Sequence, residues 1–393
     1  MRRSAWFLSM LSAMVFAAAV SAHAQDKKKQ AATDISQVDE DYSLQGEYLG
    51  HARIAENGRW QNGYVGLQVV ALGDGKFDAV LYTGGLPGAG WNRRDKQQLS
   101  GMREENQLRL QDGPFTIDVH SRWADISYEG QSASSRIDKI LRISPMVGKR
   151  PPHDATVLFN GTSTELFKNG RMTDDGLLME GADTRDAYRD FTLHIEFRLP
   201  YMPYARGQDR SNSGVYLQSR YEVQILDSFG LEGVHNECGG LYRQRPPSVN
   251  MCYPPLRWQT YDLTLTSAKF DESGKKIKNA RLTVRHNGEL IHDDVELKNK
   301  TGAGRPEGPK ALQTKLQNHG NPVRFRNIWL VQHDGTPSPV GHPPIQLAQP
   351  QYRMHTHAPA AGYYAGHPRY SGGSRYIFDC RQFAHPRHSG GRR

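Results

Sequence analysis

The sequence predicts an all-β fold, with a small β domain preceding a larger β-sandwich. Three observations carry this. Short runs alternate apolar and polar side chains with a period of two, Gly, Asn and Asp punctuate the runs, and no stretch over 41–145 keeps a helical period. Successive side chains of a strand point to opposite faces, so each run acquires one apolar and one polar side.

The chain has 393 residues, enough for two modest domains and tails. Arg2 and Arg3 precede an apolar run from Ala5 to Val20, and Ala22-His23-Ala24 has the small-x-small form of a processing site. Residues 1–24 are therefore read as a signal peptide, with the mature chain starting at Gln25 in the periplasm or outside the cell. A retained anchor needs about 20 apolar residues and no cleavage site, so no membrane anchor is expected after processing. The formal charge of +9 falls to +7 without Arg2 and Arg3 and is spread along the chain. Lys27–Lys29 is a short basic run beside the processing site, and no nucleic-acid signature accompanies it.

Residues 25–40 are polar and without period, which predicts a disordered leader. The small all-β domain covers 41–145. Within it, Leu67–Leu72 and Lys76–Tyr82 flank Gly73-Asp74-Gly75, a hairpin signal. Gly84-Gly85-Leu86-Pro87-Gly88-Ala89-Gly90-Trp91 lacks the Gly-Lys-Ser/Thr ending and the following helix of a phosphate loop, so it reads as a tight connection with an aromatic tip. No nucleotide cofactor is expected. Pro151-Pro152 marks a stiff linker over 146–154.

The second domain, 155–333, shows the cleanest alternation. Phe191, Leu193, Ile195, Phe197 and Leu199 form one face of a strand, and His194 and Glu196 stand side by side on the other. Further on, Val223 and Ile225 can face a core while Glu222 and Gln224 project together. Asn212, Tyr216 and Gln218 share one parity on the preceding strand. Carboxylate, carboxamide and phenol on one face supply the donors and acceptors that sugars require. An ordinary solvated sheet face fits the same alternation. Long loops at 200–210 and 230–257 run over this scaffold, and Asn287-Gly288 predicts a hairpin turn. Cys238 and Cys252 flank a Gly- and Pro-rich loop and can bridge in an oxidising compartment, while Cys380 stands alone. From 334 to 393 the composition turns to Pro, Gly, His, Tyr and Arg, which predicts a disordered tail.

Several ordered blocks resemble one family. They are Val157-Leu158-Phe159-Asn160-Gly161, Asp190-Phe191, Glu196-Phe197-Arg198, Asn212-Ser213-Gly214, Tyr221-Glu222-Val223-Gln224-Ile225-Leu226-Asp227, Leu316-Gln317-Asn318-His319-Gly320 and Phe325-Arg326-Asn327-Ile328. Over residues 155 to 332 the chain is similar to the 3-keto-disaccharide hydrolases. The resemblance implies a concanavalin-like jelly roll of two antiparallel sheets and activity on 3-keto-glycosides. The chain departs from that pattern at Asn318, where an Asp is expected, and at Glu165-Leu166-Phe167, where a Trp is usual. Asn cannot orient His319 through a charge.

A ketone at sugar C3 acidifies the C2 proton, so the glycosidic bond can be cleaved by eliminating the C1 substituent and then adding water. This needs a base, a group that stabilises the enolate and a proton for the leaving oxygen. Glu222, His319 and Asp227 are the catalytic candidates. Gln224, Asn212, Tyr216, Gln218, Arg326 and Gln317 are the candidate holders of sugar oxygens. His194 and Glu196 at i, i+2 can ligate one divalent metal ion, although two residues do not define a site. Two other readings fit the same residues, a lectin-like carbohydrate-binding module and a surface or matrix interaction protein.

Overall fold

The computed structural model describes residues 27–56, 59–113, 115–129 and 134–333. The signal peptide expected at 1–24 and the tail expected at 334–393, with Cys380, lie outside the described residues.

Residues 27–40, expected to be a disordered leader, are ordered. Asp34 caps a 3-10 turn at Ile35–Gln37 and Gln37 reaches back to it, forming a capping box. Ala32 and Tyr201 exchange backbone hydrogen bonds of 2.9 and 2.8 Å, which ties the segment to the second domain. Local caps and one long-range bridge thus satisfy a polar stretch that has no hydrophobic period.

The first domain is a closed barrel of eight strands joined in sequence order. They are β1 (Gly46–Glu56), β2 (Arg59–Gly73), β3 (Lys76–Thr83), β4 (Lys96–Glu104), β5 (Gln107–Asp112), β6 (Phe115–Val119), β7 (Trp123–Tyr128) and β8 (Ser135–Ile140). Closure runs through Glu47 to Leu49 of β1 against β8, which removes both sheet edges. Asp74 and Gly75 adopt φ of 53° and 71°, the left-handed pair that a two-residue hairpin requires. The interior is filled by Val65, Leu67, Val69, Phe77, Leu81, Leu108, Leu110, Ile117 and their neighbours, so the barrel is a packed core and not a channel. The Gly84–Trp91 loop folds tightly on itself, with Leu86 and Ala89 exchanging backbone hydrogen bonds. Its Trp91 ring packs edge-on against Tyr82, centroids 5.0 Å apart.

The second domain is a sandwich. Its strands are β9 (Thr156–Phe159), β10 (Phe167–Lys168), β11 (Leu178–Met179), β12 (Asp183–Ala187), β13 (Phe191–Arg198), β14 (Ser213–Leu217), β15 (Tyr221–Ile225), β16 (Trp258–Thr266), β17 (Lys269–Phe270), β18 (Lys276–Lys278), β19 (Ala280–His286), β20 (Glu289–Leu297), β21 (Gln313–Leu316) and β22 (Arg324–Gln332). One sheet has five strands in the order β10-β12-β21-β14-β15. The other has seven, in the order β11-β22-β13-β16-β19-β20 with β9 on β22. Between them lie Leu193, Ile195, Phe197, Val215, Leu217, Val223, Ile225, Tyr261, Leu263 and Phe325, all buried. Such packed, aligned sheets bury alternate residues of each strand. β19 and β20 meet through Asn287 and Gly288, at φ of 51° and 84°.

The segment after the barrel is a strap and not a free linker. Ser144 Oγ and Thr260 Oγ1 are 2.8 Å apart, and Gly148 N donates to Glu196 Oε1 at 2.6 Å, pinning it to the outer face of the seven-stranded sheet.

Candidate active site

Strand parity builds the site. On β15, Tyr221, Val223 and Ile225 enter the core, which turns Glu222 and Gln224 to the outer face of the five-stranded sheet. On β14, Val215 and Leu217 point inward and Gly214 and Tyr216 outward. The register then aligns one residue per strand across the whole outer face: Lys168, Asp183, Lys315, Tyr216 and Glu222. A second row holds Gln317, Gly214 and Gln224, with Gln317 N donating to Gly214 O at 2.9 Å.

The first row runs from solvent to a covered end. Lys168 and Lys315 are exposed, whereas Tyr216 and Glu222 are 5% and 2% exposed. Thr301 and Gly302 cover this end: Glu222 N donates to Thr301 Oγ1 at 2.6 Å. A Cβ added to Gly302 would lie 2.6 Å from the Tyr242 ring and 3.3 Å from Glu222 Oε2, so both groups converge there. Gly214 is needed below them, because a Cβ would sit 2.5 Å from Glu222 Oε1. Burial, offset in part by a hydrogen bond from Tyr216, pushes the Glu222 carboxyl from an ordinary 4.5 to about 7. Burial also keeps the Tyr216 hydroxyl protonated, its pKa raised.

Carboxamides line the next stretch. Gln224 Nε2 donates to Asn212 Oδ1 and Gln208 Oε1, both at 3.2 Å, and Asn212 Nδ2 donates to Gln208 O at 2.7 Å. Among the described residues, the buried Oε1 atoms of Gln224 and Gln317 accept no hydrogen bond. A buried acceptor left unpaired costs about 1–3 kcal/mol, and a ligand hydroxyl would satisfy it.

Other sequence-predicted residues fall elsewhere. Gln218 leaves the strand parity at φ 51° in the β14–β15 turn, where its amide holds Tyr188 O, Arg189 O and Ser267 Oγ. Asp227 is buried in an ion pair with Arg210, Oδ2 to Nε 2.6 Å, and Arg210 also reaches Ala71 O of the barrel. It joins the two domains through Arg210. His319 is exposed in the loop after β21. That loop is tied to the start of β14 by Asn321 Oδ1, which accepts from Asn212 N at 2.7 Å. Asn318 Oδ1 is occupied by Gly320 N.

His194, Glu196 and Arg326 meet on the outer face of the other sheet. His194 Nδ1 lies 3.0 Å from Asp262 Oδ1 and its ring stacks on Trp329. Glu196 accepts from Arg326, Asn327 and Gly148. Burial works against charge on His194, but the bonds to Asp262 and Glu196 prevail and raise its pKa. For Glu196, burial is likewise outweighed, by His194, Arg326, Asn327 and Gly148, and its pKa falls to about 2. Arg326, Asn327 and Gly148 already occupy the Glu196 carboxylate oxygens. Among the described residues no three His, Cys, Asp or Glu side chains converge on a metal position.

Cys238 and Cys252 are free thiols, buried under the loop that flanks β15. Sequence reasoning passed over Gln208, Gly302 and Lys315, and named Gly214 only within the Asn212-Ser213-Gly214 block. Only Lys315 carried a usable signal, since it alternates with Leu316 and Thr314.

The sandwich thus carries, on its five-stranded sheet, a buried protonatable carboxyl beside buried carboxamides. The model of the 3-keto-alpha-glucoside-1,2-lyase-like domain matches residues 154–331. That part of the chain belongs to this family, which supports a glycoside-acting enzyme. No curated protein matches the chain. Three solved structures of candidate glycosyl hydrolases from Parabacteroides distasonis ATCC 8503 are similar. One is 30% identical, covering 46% of this chain and 85% of the other with a TM-score of 0.43. A second is 18% identical over 46% and 94% (TM-score 0.35), and a third 21% identical over 46% and 99% (TM-score 0.33).

Proposed function

We propose that the sandwich domain cleaves 3-keto-glycosides by elimination and hydration, with Glu222 as the base. The observation that carries this reading is a carboxyl 2% exposed, with Tyr216 as its hydrogen-bond partner and a pKa of about 7. A general base is most effective when its pKa lies near the working pH. The Glu222 carboxylate takes the C2 proton, and the electron pair moves onto the C3 oxygen, towards the Lys315 ammonium one strand beyond Tyr216. The enolate then re-forms the ketone and breaks the C1–O bond, and the departing oxygen takes a proton from a water molecule, whose hydroxide is the form in which that water adds in the next step. Water adds to C1 of the resulting enone, and Glu222 returns its proton to C2, so the net change is hydrolysis. Gln224 and Gln317 supply acceptors for the sugar hydroxyls.

The test is turnover of a chromogenic 3-keto-glucoside. Glu222→Gln lowers kcat by about 10²–10⁴-fold, the usual loss for a general base, and kcat/KM of the native enzyme rises with pH through about 7 as Glu222 ionises. A variant rate near that of the native enzyme removes Glu222 from the mechanism. Asn318, bonded to Gly320 and not to His319, favours a second reading in which this sheet face only binds sugar. Saccharide binding without turnover in the same assay selects it. Export forms part of the proposal, and an N-terminus at Gln25 in the secreted protein checks it.

A further inference from the structure

A cavity of about 360 Å³ lies away from Glu222, where the 35–47 segment, the end of β8 and the loop at 254–257 meet. That volume is within the range of small-molecule sites. The floor is the Glu47–Arg142 ion pair, 2% and 7% exposed, with Arg142 Nε 2.8 Å from Glu47 Oε2. These two charges answer each other. Lys139 and Arg257 also line the cavity, and neither has an ion-pair partner among the described residues. The Lys139 ammonium donates to Ser43 O at 2.6 Å and lies 5.4 Å from the centre of the Tyr48 ring. Burial first, and the Arg257 charge second, bring Lys139 down to about 8, as expected of a cation facing another cation. Asp39 is the remaining acid of the lining, and it accepts the Tyr201 hydroxyl at 2.8 Å. Three cations against two carboxylates leave one positive charge uncompensated. The mouth is apolar, with Ile35 and Leu141 62% and 50% exposed, an arrangement that water alone does not favour.

We propose that this junction cavity is a second ligand site, which takes a small organic monocarboxylate with an apolar body. The carboxylate lies between Lys139 and Arg257, neutralising the excess charge, and the body rests on Ile35, Tyr42 and Leu141. Charge-assisted hydrogen bonds of this kind are the strong ones. The two domains both contribute, so occupancy braces the barrel against the sandwich.

The test titrates the full chain with benzoate and hexanoate, with benzyl alcohol and hexanol as neutral counterparts, by calorimetry. Both carboxylates bind saturably, with affinity at least about tenfold above the alcohols, and Arg257→Gln and Lys139→Gln each weaken them about tenfold. Leu141→Glu, at an exposed position, places an anion at the mouth and abolishes carboxylate binding. Alcohols binding as well as acids, affinity unaltered in Arg257→Gln, or no saturable binding of either acid overturns the proposal.

Discussion

Replacing Glu222 by Gln should stabilise the sandwich in alkaline solution while it lowers turnover. The carboxyl titrates near 4.5 in the unfolded chain and at about 7 in the fold, because burial disfavours its charged form. A folded-state pKa above the unfolded value contributes stability that is fully present below pH 4.5 and lost as pH rises through 7. At about 1.4 kcal/mol for each tenfold change in proton activity, the difference amounts to about 3 kcal/mol above pH 8. Gln keeps the shape and the hydrogen bond to Tyr216 but carries no charge, so it escapes this loss. Urea unfolding of both proteins at pH 5 and pH 8.5 reads the effect. The variant should gain about 2–3 kcal/mol over the native protein at pH 8.5 relative to their difference at pH 5. An equal gap at the two pH values would refute the assignment of a raised pKa to Glu222.

Other substitutions probe the surroundings of Glu222. Gly214→Ala puts a Cβ 2.5 Å from Glu222 Oε1 and should lower kcat at least about tenfold by moving the base, with the β-sheet circular dichroism retained. Lys315→Gln removes the cation facing the enolate oxygen, and kcat should fall by about 10²-fold with KM little changed in steady-state kinetics. Asp227→Ala leaves the buried Arg210 uncompensated and should cost about 3–5 kcal/mol in denaturant unfolding, through stability and not chemistry.

The alternation along β13, β14 and β15 was legible because a period of two survives wherever one face is buried, so the outward set of Glu222, Gln224 and Tyr216 could be read directly. Gln218 broke the pattern, since a left-handed φ at a turn resets the parity and nothing in the residue name announces it. Asp227 and Arg326 are polar types in strand-like contexts, yet each is occupied by an ion partner distant in sequence: Arg210 for the first, Glu196 for the second. The ordered 27–40 segment escaped for a similar reason, since its partner Tyr201 lies in the other domain.

The order of residues by itself determined the β character of both domains, the hairpins at Asp74-Gly75 and Asn287-Gly288, and the family, because these depend on neighbours along the chain. Only the tertiary structure decided that the first eight strands close into a barrel, that Lys315 stands in line with Tyr216 and Glu222, and that Glu222 is covered. The placing of Lys315 beside Tyr216 and the covering of Glu222 by Thr301 are contacts between segments far apart in sequence, and it is burial that gives an ordinary glutamate its unusual proton affinity.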